Sequence, residues 1–157
     1  MSKKLESLKI GKYRGIEELE IINLKQVNIL VGDNNAGKTS LLEAIQIFFD
    51  PTMYTLSRVS RQRDNYKPEI RLNILDSLYY LFNIKKSDTH SFNISGIVED
   101  TQRNVCVKVV KEKIYHLDKS RDILNNQEEI DNYVYEINVD KKVEKFVLNK
   151  FSDFLLK

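Results

Sequence analysis

Residues 32–39 read Gly32-Asp33-Asn34-Asn35-Ala36-Gly37-Lys38-Thr39, a match to G-x-x-x-x-G-K-[ST] at every fixed position. That order suits the holding of a triphosphate. A triphosphate needs many hydrogen-bond donors at short range, and backbone N–H groups supply them only where the chain wraps closely around the anion. Glycine permits that approach. Lys38 is the residue of the string expected to act in the chemistry, by reaching the β- and γ-phosphates of a bound nucleotide. Thr39 would set its hydroxyl on Mg2+, whose charge offsets the phosphates. Asp33 is an acid beside an anion site, so its side chain must point away. A chance glycine-rich turn between a strand and a helix is the plainer alternative.

The elements around the string decide between the two. Residues 27–31 (VNILV) form a short β-branched run that predicts a central strand buried on both faces. A helix is expected from Lys38 to Phe49, with Leu41, Leu42, Ile45, Phe48 and Phe49 as its apolar stripe and Glu43 on the solvent side. Its N-terminal N–H groups and dipole would point at the same anion. Asp50-Pro51 ends it. Upstream, residues 5–12 and 16–23 read as two strands around the turn Tyr13-Arg14-Gly15, although Ile16 is out of phase with Leu19 and Ile21.

Downstream signals are weaker. Residues 51–68 are polar, with Arg58, Arg61, Arg63 and Lys67 against Asp64, and read as an exposed mobile loop. Such a cluster carries the charge that DNA phosphates require, and reads equally as a solvated surface. A helix is expected over 69–83. Residues 91–98 and 105–110 alternate around the polar stretch 99–104 and predict a hairpin, with a third strand at 113–117 and another at 133–139. Residues 118–131 read as loop, and the stretch from Lys141 as helix. Tyr79, Tyr80 and Phe82 read as core, Cys106 as an inert strand residue, and Gln62 as a lone glutamine of little weight.

The first fifty residues resemble the N-terminal segment of ABC-type ATPase heads of the RecF, SMC and OLD-like group, many of them filed as AAA-type ATPases. The residues that carry the resemblance are Leu8-Lys9-Ile10, Tyr13-Arg14-Gly15-Ile16 and the run from Val27 to Ile45. Asn34-Asn35-Ala36 is closest to the OLD-like branch, which includes antiphage defence ATPases. The resemblance implies ATP and Mg2+ as ligands, with Gly32, Asn34, Gly37, Lys38, Thr39 and the adjacent Ser40 around them. It places Arg14 where the group has a basic residue near nucleotide or DNA. It also implies head-to-head homodimers around the nucleotide, contact with DNA in repair, maintenance or antiphage defence, and a nuclease partner or C-terminal domain.

The implied fold is an α/β P-loop NTPase with an ABC-head-like mixed or antiparallel β lobe, incomplete here. Residues 1–157 are then a single N-terminal ATP-binding lobe: 1–50 hold the strand pair, the loop and its helix, and 51–157 a helix and antiparallel strands. The second lobe is expected to be absent. No L-S-x-G-E-like motif occurs, nor a run of four apolar residues followed by Asp-Glu; ISGIVED (94–100) has its acids reversed.

Bulk properties narrow the alternatives. A net charge of +2 is too small for nucleic-acid binding by bulk attraction. The single Cys106 excludes an internal disulfide, the two histidines lack zinc-spaced partners, and no apolar run is long enough to span a bilayer, so a cytoplasmic protein without membrane contact is expected. A small GTPase-like switch is a second reading of the loop, but Asn149-Lys150 is followed by Phe151-Ser152 and no D-x-x-G occurs. A third is a module that holds ATP without hydrolysing it.

Overall fold

The computed structural model describes residues 4–62, 77–78, 81–82, 89–116 and 128–149. Alternating Leu8 and Ile10 build the first strand, β1 (Leu5–Tyr13), which pairs antiparallel with β2 (Ile16–Ile21). Lys12 adopts a left-handed φ of 57°. This breaks the alternation, so Tyr13 rather than Lys12 enters the core. Ile16 stands opposite Tyr13, which explains why it is out of phase with Leu19 and Ile21.

The remaining strands are β3 (Thr89–Val98), β4 (Thr101–His116), β5 (Glu128–Val139) and β6 (Lys142–Asn149). They join the first two in one six-stranded sheet of order β2-β1-β3-β4-β5-β6. Every neighbouring pair is antiparallel, so the sheet is antiparallel throughout rather than mixed. The turns after β3 and β5 have two residues each, Glu99-Asp100 and Asp140-Lys141, all four with left-handed φ. That is the backbone a tight hairpin needs. The turn after β5 is tied to β4: Asn104 N–H donates to Asp140 Oδ1 at 2.7 Å, and Asp140 N–H donates to Asn104 O at 3.1 Å.

Two helices pack on one face of the sheet, α1 (Lys38–Phe49) and α2 (Met53–Arg61). The core lies between them and the sheet. Tyr13 meets Phe92 edge-on at 5.0 Å between ring centroids, and Phe82 lies 5.3 Å from Phe92. Around them Ile10, Ile47, Val59, Ile94 and Val107 are fully buried. Phe82, expected in the core, is there and bridges to Tyr13.

Several expectations are corrected. Residues 51–62 are not a loop. Thr52 caps α2 by accepting the Thr55 N–H at 3.2 Å, and Met53, Leu56 and Val59 recur at helical spacing to bury one face. The expected third strand at 113–117 is instead the continuation of β4 to His116. From Lys142 to Asn149 the expected helix is a strand, because pairing with β5 overrides its charged, helix-compatible composition; residues 150–157 lie outside the described residues. Residues 128–131, read as loop, open β5. On α1 the inner face is Leu41, Ala44, Ile47 and Phe48, while Leu42 and Phe49 are exposed. Residues 63–68, residues 118–127 of the expected loop, Tyr79 and Tyr80 lie outside the described residues. So does most of the expected helix over 69–83, of which 77–78 are helical and Leu78 and Leu81 are buried.

The largest correction concerns residues 27–31. They join no strand, and Val27, Ile29, Leu30 and Val31 are 79%, 86%, 45% and 85% exposed. The run has the composition of a central strand, but no strand among the described residues pairs with it.

Candidate functional site

The loop from Gly32 to Gly37 turns sharply between the exposed run and α1. Ala36 N–H donates to Asp33 O at 3.2 Å, and Asn35 takes a left-handed φ of 67°, which asparagine tolerates better than most residues. Gly37 has φ 84° and stands at the N-cap of α1, so the second glycine of the motif is needed for its backbone angle. A Cβ built on Gly32 would stand 3.4 Å from Ala36 Cβ, in ordinary contact with the opposite side of the loop.

Lys38 ties the two sides of the loop together. Its Nζ donates to Gly32 O and to Asp33 O, both at 2.6 Å. An ammonium has three donors, and these two contacts leave one for a further acceptor. The positive charge is thus held over the mouth of the loop by the loop's own carbonyls. The motif residues are close together and open to solvent: Gly32, Asp33, Asn34, Asn35, Ala36 and Thr39 are exposed, and Gly37 and Lys38 partly so.

The start of α1 suits an anion. Its N-cap makes no side-chain hydrogen bond, and its first turn holds no acid. The opening N–H groups of a helix have no intrahelical acceptor, and the first helical bond seen here is Leu41 N–H to Gly37 O at 2.9 Å. Lys38, Thr39 and the helix dipole therefore face one region. Ser40, next in line, is buried at 6% exposure rather than presented to it.

A divalent cation fits this site only as the partner of bound phosphates. Thr39 offers one exposed hydroxyl, and no group of three or more His, Cys, Asp or Glu side chains among the described residues could hold a metal by itself. A magnesium ion that keeps its waters and binds chiefly through phosphate oxygens needs no more than that from the protein.

Arg14 and Glu43 are not where the sequence puts them. Glu43 is buried, not on the solvent side of α1. Its Oε2 lies 2.7 Å from Arg14 Nε, with the two side chains 3% and 8% exposed respectively. Arg14 also donates through Nη2 to Val59 O on α2 at 3.2 Å. Its guanidinium is therefore occupied within the protein. Glu43 escapes a reading based on apolar residues alone, although it lies four positions before the buried Ile47 and next to Ala44. Of the basic cluster at 58–67, Arg58 and Arg61 stand exposed on α2, Arg58 with its guanidinium 5.9 Å from the Tyr54 ring centroid. Gln62 is the C-cap of that helix. Cys106 is half-buried on β4, and burial pushes its thiol pKa up, against the nearby charge of Lys108. No helix among the described residues is long and apolar enough to cross a membrane.

Comparison with known proteins identifies the family. The AAA ATPase domain family model matches residues 4–157. An uncharacterized protein of Methanocaldococcus jannaschii is 50% identical over 44 residues, 28% of this chain and 20% of that protein. The DNA replication and repair protein RecF of Oenococcus oeni is 41% identical over 61 residues, 39% of this chain and 14% of RecF. A Helicobacter pylori protein named ATP/GTP phosphatase is 31% identical over 65 residues, 41% of this chain and 18% of that protein. The matches thus span a fifth or less of these relatives' lengths. The family match covers nearly the whole chain, and with RecF proteins among the relatives it bears out the resemblance of the first fifty residues: the chain belongs to the AAA ATPase domain family.

Proposed function

We propose that residues Gly32–Thr39 bind the triphosphate of ATP together with Mg2+, as the nucleotide-gripping part of a P-loop ATPase of the RecF/SMC/OLD-like type. The observation that carries this reading is Lys38, fixed by Gly32 O and Asp33 O with one ammonium donor to spare, beside an uncapped, acid-free helix start. In this reading the loop N–H groups and Lys38 bind the β- and γ-phosphates. Bound Mg2+ supplies charge neutralisation, and Thr39 offers it one oxygen.

Hydrolysis requires a group that positions the attacking water. No apolar run ending in Asp-Glu occurs in residues 1–157. We therefore assign nucleotide binding to this chain and the water-positioning acid to a second lobe or partner chain. The name of the Helicobacter pylori relative supports a triphosphate-cleaving activity for the complete protein, and the RecF names support a place in DNA repair or maintenance, with antiphage defence as the alternative. Head-to-head pairing, DNA contact and a nuclease partner belong to the same proposal. For DNA the exposed Arg58 and Arg61 on α2 are better placed than the buried Arg14. The absence of N-K-x-D and D-x-x-G argues against a GTPase switch.

The test is titration of the purified chain with a fluorescent ATP analogue, with and without Mg2+. Saturable Mg-ATP binding, abolished by Lys38→Ala, with hydrolysis near background, is the expected result. Robust turnover by residues 1–157 alone would overturn the assignment of the acid elsewhere. Much tighter binding of GTP than of ATP would favour the switch.

A further inference from the structure

Arg14 leaves the turn between β1 and β2 with a left-handed φ of 50°. It is held there on several sides. Its N–H donates to Leu81 O at 3.0 Å, its Nη2 to Val59 O at 3.2 Å, and its Nε pairs with Glu43 Oε2 at 2.7 Å. The Tyr13 hydroxyl donates to the same Glu43 oxygen at 3.2 Å. Burial raises the Tyr13 pKa far above the ordinary phenol value, so the hydroxyl stays a neutral donor.

Stability is a poor explanation for such a pair. Burying two charges is costly, and replacing them by apolar side chains of similar volume is often neutral or stabilising. What the pair adds is direction. Ala44, Ile47 and Phe48 hold the second half of α1 by apolar contact, and Arg103 Nε fixes its end by donating to Phe48 O at 3.0 Å. The first half follows an exposed loop. Apolar surfaces allow a helix to roll about its axis, whereas a hydrogen-bonded ion pair resists it. Glu43 stands one turn after Thr39, about 6 Å along the axis. Fixing Glu43 therefore fixes the azimuth of Lys38, Thr39 and the N–H groups around them.

We infer that Arg14 and Glu43 are positioning residues for nucleotide binding: their buried pair locks the roll of α1, so that Lys38, Thr39 and the helix-start amides converge on one triphosphate. This rests on the Mg-ATP reading of the loop. Neither side chain touches the nucleotide. Because Arg14 also holds Val59 O, the same lock sets α2 against α1.

The experiment compares the wild-type chain with the double variant Arg14→Met/Glu43→Met, which keeps the volume and removes the charges, and with Glu43→Gln, which keeps the shape. Three quantities are measured: the melting temperature, Mg-ATP affinity, and hydrogen exchange of the amides of residues 41–44, the first helix-bonded turn, without nucleotide. The double variant should melt within a few degrees of wild type, bind Mg-ATP about ten- to a hundredfold more weakly, and exchange faster in that turn. Glu43→Gln should fall between the two. Folded variants with wild-type affinity and wild-type exchange would overturn the inference. If the double variant does not fold, Glu43→Gln decides by the same two readouts. A wild-type chain without saturable Mg-ATP binding would sink the underlying reading instead, and the exchange rates would still judge the lock.

Discussion

Gly96 on β3 lies directly against Ser7 on β1, so close that a Cβ on Gly96 would strike the Ser7 carbonyl oxygen. The same Cβ would come within 3.2 Å of Phe48 Cζ on α1. The glycine thus lets the sheet and the helix behind the phosphate loop approach each other. Ser7 stands where the β1–β3 register shifts, between the pairs Leu5 with Val98 and Ser7 with Ile97.

Gly96→Ala is therefore expected to destabilise the chain by about 1–3 kcal/mol, the usual cost of overpacking. A urea melt checks it. An unchanged midpoint would mean that the two strands separate easily at this point.

The exposed run 27–31 allows the opposite prediction. Val27→Ser and Val31→Ser remove apolar atoms that are already in water, so each should alter stability by no more than about 0.5 kcal/mol. Ile94→Ala removes a fully buried side chain from the core and should cost about 2–5 kcal/mol. Thermal melts of the three variants side by side test the contrast.

Thr52 is the one side-chain cap of the two helices. It accepts the Thr55 N–H, and Thr55 Oγ1 in turn donates to the Asp50 carboxylate. Thr52→Ala should cost about 0.5–2 kcal/mol, whereas Thr52→Ser should keep most of the cap. Chemical denaturation of both variants measures the difference.

Cys106 gives a pH dependence. Burial raises its thiol pKa, so at pH 8 it carries less thiolate than a free thiol and should react more slowly with iodoacetamide. The sign for stability follows from the same shift: protonation is favoured in the folded chain, and the contribution is complete below the unfolded pKa and lost as pH rises through the folded one. Alkylation rates between pH 7 and 10, beside those of a small free thiol, test this. Equal rates at pH 8 would contradict it.

The turn into α1 is the most legible part of this sequence. Gly37 needs a left-handed backbone, which glycine adopts cheaply, so that position shows in the letters. The helix behind it is legible to its bounds, Lys38 and Phe49, because a proline at 51 stops it. The hairpin of β3 and β4 is equally plain from its alternation. What the letters hide is partnership. VNILV has the composition of a buried strand whether or not another strand meets it. Glu43 reads as a surface residue until Arg14 arrives from another element to neutralise it. Lys142–Asn149 is charged enough for a helix, and only the neighbouring β5 makes it a strand. Residues 53–61 look like loop because their buried face is partly Thr55, Ser57 and Ser60, small polar residues that carry little hydrophobic signal.

The order of the sheet bears on how the chain acquires its shape. β3, β4 and β5 each pair with the next strand in sequence, and β1 pairs with β2, whereas the pairing of β1 with β3 encloses the whole excursion from 22 to 88. Closing a long loop costs more entropy than closing a hairpin turn, so the meander can zip early and the contact that encloses the loop and its helices comes late. The segment from Gly32 through α1 and α2 is then the last part of the described fold to settle. The run before it, with Val27, Ile29 and Val31 in water, brings little apolar burial to that closure.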